Sequence, residues 1–210
     1  MKSEKRDFDR EAASWDEEPR RVRLANDVAD AVSAEITLTS DMDVLDFGCG
    51  TGLVTLRLQP FVRSITGVDS SRGMLRVLGA KIEKLGLTNV RVQYLDLEMG
   101  DVLEGNYHLI VSSMTLHHIK EIRPLLDQFS KISAPRGYLC IADLDLDEGG
   151  FHENNDGIHH FGFERATLRS AFREAGFEDV RDRTAAEVIK PVLGENRLFS
   201  IFLMTGRKKP

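Results

Sequence analysis

The chain has 210 residues, 41% of them apolar and 30% charged, which are the proportions of an ordinary globular protein with one full core. Its net charge of −6 argues against a protein that grips nucleic acid through the phosphates. No apolar run approaches the ~20 residues that span a bilayer, and Met1 to Arg10 is charged and lacks a signal-peptide core, so a cytoplasmic protein with no membrane attachment is expected.

The first 15 or so residues are charged and without a steady period. Pro19 follows three acids, and Val22, Ala25, Val28, Ala29, Val32 and Ile36 repeat at helical spacing, which predicts one amphipathic helix over about 19–36. From there strands and helices alternate. Val44 to Phe47 is a short β run ending in glycines, and Leu53 to Leu58 reads as helix. Ser64 to Asp69 is a second strand. Ser70 or Ser71 can cap the next helix, whose apolar face is Met74, Leu75, Leu78, Ile82 and Leu85, with Gly86 as its stop. Val90 to Leu95 and Leu109 to Ser112 are the third and fourth strands. A helix over about 121–133 is closed by Pro135 and Gly137, and Tyr138 to Leu146 is the fifth strand. An irregular segment, 147–162, is rich in Gly, Asn, Asp and His. A helix over 164–175 and two β runs, about 180–189 and 198–204, complete the chain. The alternation predicts a doubly wound α/β sheet, mostly parallel with helices on both faces, whose ligands bind at the carboxyl ends of the strands. The two cysteines, Cys49 and Cys140, have neither metal nor redox spacing and read as reduced and structural.

Glycines 48, 50 and 52 lie between a strand and a helix, which suits close approach of a ligand to the backbone. A dinucleotide fingerprint wants Gly or Ala three residues after Gly50, where Leu53 stands. Asp46 closes the strand before the turn. A carboxylate there repels a pyrophosphate and favours a ligand carrying an ammonium and a sulfonium, so the residues favour S-adenosylmethionine over a nicotinamide cofactor. Asp69, 19 residues after Gly50, can accept both ribose hydroxyls or serve as an acid at a helix N-terminus. Asp96 either accepts from the adenine amino group or caps its loop. Met74 covers an adenine face or sits in the core.

The segments VLDFGCGTG (44–52), GVDSS (67–71), YLDLE (94–98) and YHLIVSSMTLHHI (107–119), in this order and spacing, resemble the class I S-adenosylmethionine-dependent methyltransferases. Within them they are most similar to the small-molecule, ubiquinone/menaquinone-biosynthesis-like (type 11/12) group. The resemblance covers residues 40–145 well and the C-terminal third loosely. It implies a Rossmann-like sheet of seven strands with the last antiparallel. It divides one domain into an N-terminal helical lid (1–38), a cofactor-binding core (40–145), a substrate-side loop (146–163) and a C-terminal helix with strands (164–210). It also implies that Gly48, Cys49 and Gly50 face the methionine part of the cofactor, Asp69 and Ser70 the ribose, Asp96 and Leu97 the adenine, and Ser112 the inner side. An aromatic residue near the N-terminus closes over the cofactor in similar enzymes. Trp15 is the residue of that size here, or else it staples the first helix.

Methyl transfer is an in-line displacement that rewards alignment and a dry, apolar pocket. Met114, Leu116, Ile119, Phe151, Phe161 and Phe163 can supply walls or simply core. His117 and His118 follow the fourth strand, where one of them can take a proton from a hydroxyl or amine, or can brace the loop. His159, His160 and Phe161 are the substrate-binding candidates of the irregular segment. Asp143, Asp145 and Asp147 alternate and so share a strand face, but without ligand spacing they do not argue for a metal. The signatures of nucleic-acid adenine and cytosine-C5 methylation are missing: Ser112-Ser113-Met114-Thr115 stands in place of the first, and Leu139 precedes Cys140. A small-molecule acceptor is expected. The rival readings are a non-catalytic cofactor-binding regulator and an NAD-dependent oxidoreductase.

Overall fold

A computed structural model describes residues 7–192 and 194–210. Residues 1–6 of the expected lid lie outside the described residues. The chain runs α1 (Phe8–Glu11), a 3-10 turn (Ala12–Glu17), α2 (Pro19–Glu35), β1 (Asp43–Phe47), α3 (Leu53–Leu58), β2 (Ser64–Asp69), α4 (Arg72–Leu85), β3 (Val90–Tyr94), β4 (Tyr107–Ser113), α5 (Ile122–Ile132), β5 (Ser133–Leu144), α6 (Arg165–Glu174), β6 (Phe177–Val192) and β7 (Glu195–Lys208). One seven-stranded sheet has the order β3-β2-β1-β4-β5-β7-β6. β1 to β5 pair in parallel, and β7 runs antiparallel to both β5 and β6. This is the Rossmann-like sheet of class I methyltransferases. Strand order reverses between β1 and β4, so the carboxyl ends of β1, β2, β4 and β5 border one crevice.

Alternation along the central strands divides the core in two. Val44, Val111, Cys140 and Ile201 face α2 and α3, where Val28, Val32, Val54 and Leu58 meet them. Leu45, Ile110, Leu139, Ile141 and Phe202 face α5 and α6 through Leu125, Phe129, Leu168 and Phe172. Each large side chain buried in this way contributes about 2–3 kcal/mol. α4 starts where the Ser71 side chain accepts from Met74 N and stops at Gly86, whose φ of 63° is left-handed.

Two expectations are corrected, and one segment is more regular than its pattern announces. The first 15 or so residues carry no steady period, yet α1 and a 3-10 turn are formed there. They are held by caps and by contacts with α4 rather than by an apolar face of their own. Pro135 and Gly137 do not separate a helix from a strand. β5 begins at Ser133, and the irregularity is a register shift against β4, with Arg136 at φ 62°. β6 and β7 are longer than 180–189 and 198–204, because paired to each other they extend past β5.

Candidate active site

The glycine turn does three different jobs. All three glycines have positive φ: 70° at Gly48, 53° at Gly50 and 83° at Gly52. A side chain on Gly48 would overlap Thr115, and one on Gly52 would overlap Leu78. Gly50 alone meets nothing nearer than the Met74 sulfur, 3.9 Å from where a Cβ would stand. The space a ligand needs beside this backbone is therefore at Gly50, between buried Cys49 and buried Met74.

Two carboxylates lie under and beside this space. Asp46, at the end of β1, is 1% exposed, and its Oδ2 accepts from Thr55 Oγ1 of α3 at 2.5 Å. It sits beneath the turn rather than in the open cleft. Burial pushes its carboxyl up to about 6, against the pull of the Thr55 bond. Asp69, at the end of β2, accepts from Gly50 N and Ser71 N, each at 2.8 Å, one on each oxygen. Burial raises its pKa as well, opposed by the backbone N–H groups of Ser71, Gly50 and Ser70. The Asp69 charge adds to the rise at Asp46, and burial, followed by both carboxylates, lifts the neighbouring Cys49 thiol well above the ordinary range. Among the described residues no lysine or arginine pairs with Asp46 or Asp69. A buried acid and a half-buried one without a cation form a site that a cationic ligand completes. A carboxylate has about four acceptor positions, so Asp69 keeps some for further donors.

The other cofactor candidates are distributed around the same crevice. Ser112 pairs in register with Phe47 at the end of β4. It is 1% exposed, and its hydroxyl has no hydrogen-bond partner among the described residues. Asp96 accepts from Glu98 N at 2.9 Å and caps the 3-10 turn 97–99, while Leu97 packs on the α5 side of the core. Ser70 is exposed, and the helix cap is Ser71.

The N-terminal segment crosses this end of the sheet as a strap. Asp9 Oδ1 accepts from Ser71 Oγ and Gly73 N, both at 2.6 Å, and the Ser71 bond holds the Asp9 carboxyl below its ordinary range. A Cβ on Gly73 would stand 2.6 Å from Asp9 O, so glycine is needed for this docking. Farther along, Asp16 accepts from Thr51 Oγ1 at 2.6 Å and pairs with Lys81 at 2.5 Å, while Lys81 also reaches Thr51 O at 2.7 Å. Trp15 lies in the strap, with the Arg21 guanidinium 3.7 Å from its ring centre and Phe8 at its edge. Phe8 in turn meets the His118 ring at 5.3 Å, so the strap links the cofactor end of the crevice to the histidines.

At the carboxyl end of β4 the chain turns sharply. Met114 takes the left-handed φ of 55°, a conformation a non-glycine residue adopts at some cost, and its N–H donates to Ala142 O. This turn sends Leu116 into the core and His117 onto β5. His117 Nδ1 lies 2.7 Å from Asp143 Oδ1, and His117 N donates to Asp143 Oδ2 at 3.3 Å. Both side chains are buried, at 1% and 0% exposure. His117 Nε2 is buried with no hydrogen-bond partner among the described residues. His118 and His152 pack against the ring, at 4.2 and 4.9 Å between centres.

The remaining predicted residues are not brought together. Asp143, Asp145 and Asp147 do not act as one face: β5 ends at Leu144, and the three acids pair separately with His117, Arg165 and Arg197. Among the described residues no group of three His, Cys, Asp or Glu is placed to hold a metal. His159 and His160 meet His117 through the backbone, both N–H groups donating to His117 O. His159 is exposed, and His160 Nε2 lies 2.9 Å from Ile119 O. Phe161 is 43% exposed. Reasoning from the sequence missed Asp143 as the partner of His117, and it missed Asp9, Asp16 and Gly73. Their partners lie 26 to 64 residues away, and no local pattern announces them.

Comparison with known proteins bears on the family and the fold. A family model described as a methyltransferase domain matches residues 17–182. An uncharacterized methyltransferase of Schizosaccharomyces pombe is 33% identical over 156 residues, covering 67% of this chain and 55% of that protein. The chain spans about half the length of the curated relatives it matches. The solved structure of YcgJ from Bacillus subtilis superposes with a TM-score of 0.74 at 16% identity, covering 87% of this chain and 98% of that one. Phosphoethanolamine N-methyltransferase 2 of Haemonchus contortus, solved in complex with S-adenosyl-L-methionine, superposes with a TM-score of 0.69 at 15% identity, covering 87% and 52%. The chain belongs to the S-adenosylmethionine-dependent methyltransferase family.

Proposed function

We propose that this protein transfers the methyl group of S-adenosylmethionine to a small-molecule acceptor. The observation that carries the reading is the pair of acids at the glycine turn, buried Asp46 and half-buried Asp69, with no basic side chain against either among the described residues. S-adenosylmethionine brings an electrophilic methyl group on a sulfonium, together with an ammonium, and so supplies the positive charge this pocket lacks. Gly50 leaves room beside the backbone, Asp69 retains acceptor positions for ribose hydroxyls, and the unpaired Ser112 hydroxyl offers a further polar contact. Asp96 and Leu97 would border the adenine, and Met74 its face. Trp15 would cover the cofactor as part of the strap.

The chain's own contribution to rate is alignment and exclusion of water. Phe8 of the strap meets His118, and His117, His118 and His152 pack together; in this reading the strap and the 146–163 loop would cover the crevice and the histidines would line the acceptor end. His159, His160 and Phe161 would help form the loop that receives the acceptor. The test is release of S-adenosylhomocysteine from S-adenosylmethionine against a panel of small hydroxyl, amine, thiol and carboxylate compounds. Turnover that Asp69→Ala abolishes is expected. Tight binding of NADH with none of S-adenosylhomocysteine would overturn the reading.

A further inference from the structure

We infer that His117 and Asp143 act as a general-base dyad, and that the acceptor therefore presents an O–H or N–H whose proton must be removed. The inference rests on the methyl-transfer reading and narrows it to one substrate class.

The chemistry follows from which atom can carry a proton. An ionised carboxylate only accepts, so the 2.7 Å contact between Asp143 Oδ1 and His117 Nδ1 places the hydrogen on Nδ1. In the neutral ring Nε2 then holds a bare lone pair. That atom is buried and has no hydrogen-bond partner among the described residues. A buried polar atom left without a partner is destabilising, and a ligand that donates to it removes that cost. Asp143 is fastened twice more, by His117 N at 3.3 Å and by Leu144 N at 2.7 Å, so it cannot swing away from the ring. With the Asp143 charge beside Nδ1, the imidazolium formed on proton uptake is stabilised where it arises.

The location fits the same role. His117 lies two residues beyond Thr115, whose methyl and hydroxyl fill the space over Gly48. The dyad thus stands at the carboxyl ends of β4 and β5, on the next strands from the glycine turn. The proton passes from the acceptor to Nε2. The acceptor lone pair forms the new bond to the methyl carbon, and the carbon–sulfur electron pair stays on sulfur. A thiolate or carboxylate acceptor would leave this proton acceptor without a task. His117 is the catalytic residue of the proposal, and Asp143 is a positioning residue acting through it.

The first test needs no acceptor. Nitrogen-15 NMR of histidine-labelled protein reads the tautomer of His117 directly. The dyad predicts hydrogen on Nδ1 and a bare Nε2 in the neutral ring. In Asp143→Asn the amide can donate to Nδ1, so the hydrogen should move to Nε2. A neutral wild-type ring with its hydrogen on Nε2 would overturn the proposal. The second test offers two groups of acceptors, 4-methylphenol with 2-phenylethylamine, and thiophenol with benzoate. Turnover in the first group, reduced at least about 100-fold in His117→Gln and Asp143→Asn, is expected. Turnover confined to the second group, or wild-type rates in both variants, would overturn it. If neither group turns over, the tautomer decides. Calorimetry with S-adenosylhomocysteine separates the causes of failure. Wild-type protein that does not bind it refutes the methyl-transfer reading itself, whereas binding retained in both variants shows that they fold.

Discussion

The two ends of the crevice treat buried charge in opposite ways. At the carboxyl ends of β1 and β2, buried Asp46 and half-buried Asp69 meet neutral donors among the described residues, Thr55 Oγ1 and the backbone N–H groups of Gly50 and Ser71. At the ends of β4 and β5, Asp143 is buried against an imidazole. The first end is incomplete until a cation arrives, and the second is complete but for one lone pair. A site built from both accepts charge on one side and a proton on the other, which is the division of labour that methyl transfer to an O–H or N–H requires.

The joint between the two ends is the most fragile point. Gly48 has φ 70°, and Thr115 occupies the space its side chain would need. Gly48→Val should destabilise the fold by roughly 2–4 kcal/mol, through strain and overlap together, read by urea denaturation. A loss below about 1 kcal/mol would mean that Thr115 is not wedged there and that the ends are independent. Asp69→Ala should weaken S-adenosylhomocysteine binding roughly 100-fold, the effect of losing two charge-assisted hydrogen bonds. The same substitution should leave the His117 tautomer unchanged, which isolates the cofactor end.

Asp46 sets the pH response of the first end. Its folded pKa, raised to about 6, lies above the ordinary carboxylate value of ~3.9. The folded state therefore holds the proton more tightly than the unfolded chain. This favours folding below about pH 4, and the gain is lost as pH rises through 6. Asp46→Asn should stabilise the cofactor-free protein by roughly 1–3 kcal/mol at pH 7, because an amide keeps the Thr55 bond without a buried charge. Equal stability of the two proteins at pH 7, measured by thermal unfolding, would show that the Asp46 charge is already compensated. The smallest effect concerns the strap. Gly73→Ala improves helix propensity by under about 1 kcal/mol but displaces Asp9. Global stability should hardly change, while proteolysis before residue 20 should accelerate. Unchanged protection there would argue that the strap is not seated through Gly73.

Much of the first end was readable in the sequence, and little of the second. Asp46, Gly50 and Asp69 stand at strand ends separated by short, regular intervals, where local pattern and site coincide. The sheet was legible for the same reason: strands and helices alternate with clear stops such as Gly86. His117 was visible only as a histidine after a strand. Its partner Asp143 lies 26 residues on, in a run of alternating acids that suggests a shared face. The structure instead gives each acid a different partner. The turn that aims His117 rests on Met114 in a left-handed conformation, which nothing in its side chain predicts. A helical lid was implied by the resemblance, but its anchoring was hidden, because α1 is held by Ser71 and Gly73 at the start of α4 and not by its own periodicity.

The central claim is that buried Asp46 and half-buried Asp69 await a cationic cofactor, and calorimetric titration of wild-type protein and Asp46→Asn with S-adenosylmethionine between pH 5 and 7 tests it most directly. A cation beside Asp46 lowers its pKa, so the bound state carries fewer protons and affinity rises with pH. Wild-type affinity should climb up to about tenfold over this range and level off above pH 6, and Asp46→Asn should bind more weakly with a flat profile. Absence of binding, or a wild-type profile as flat as that of the variant, would contradict the account.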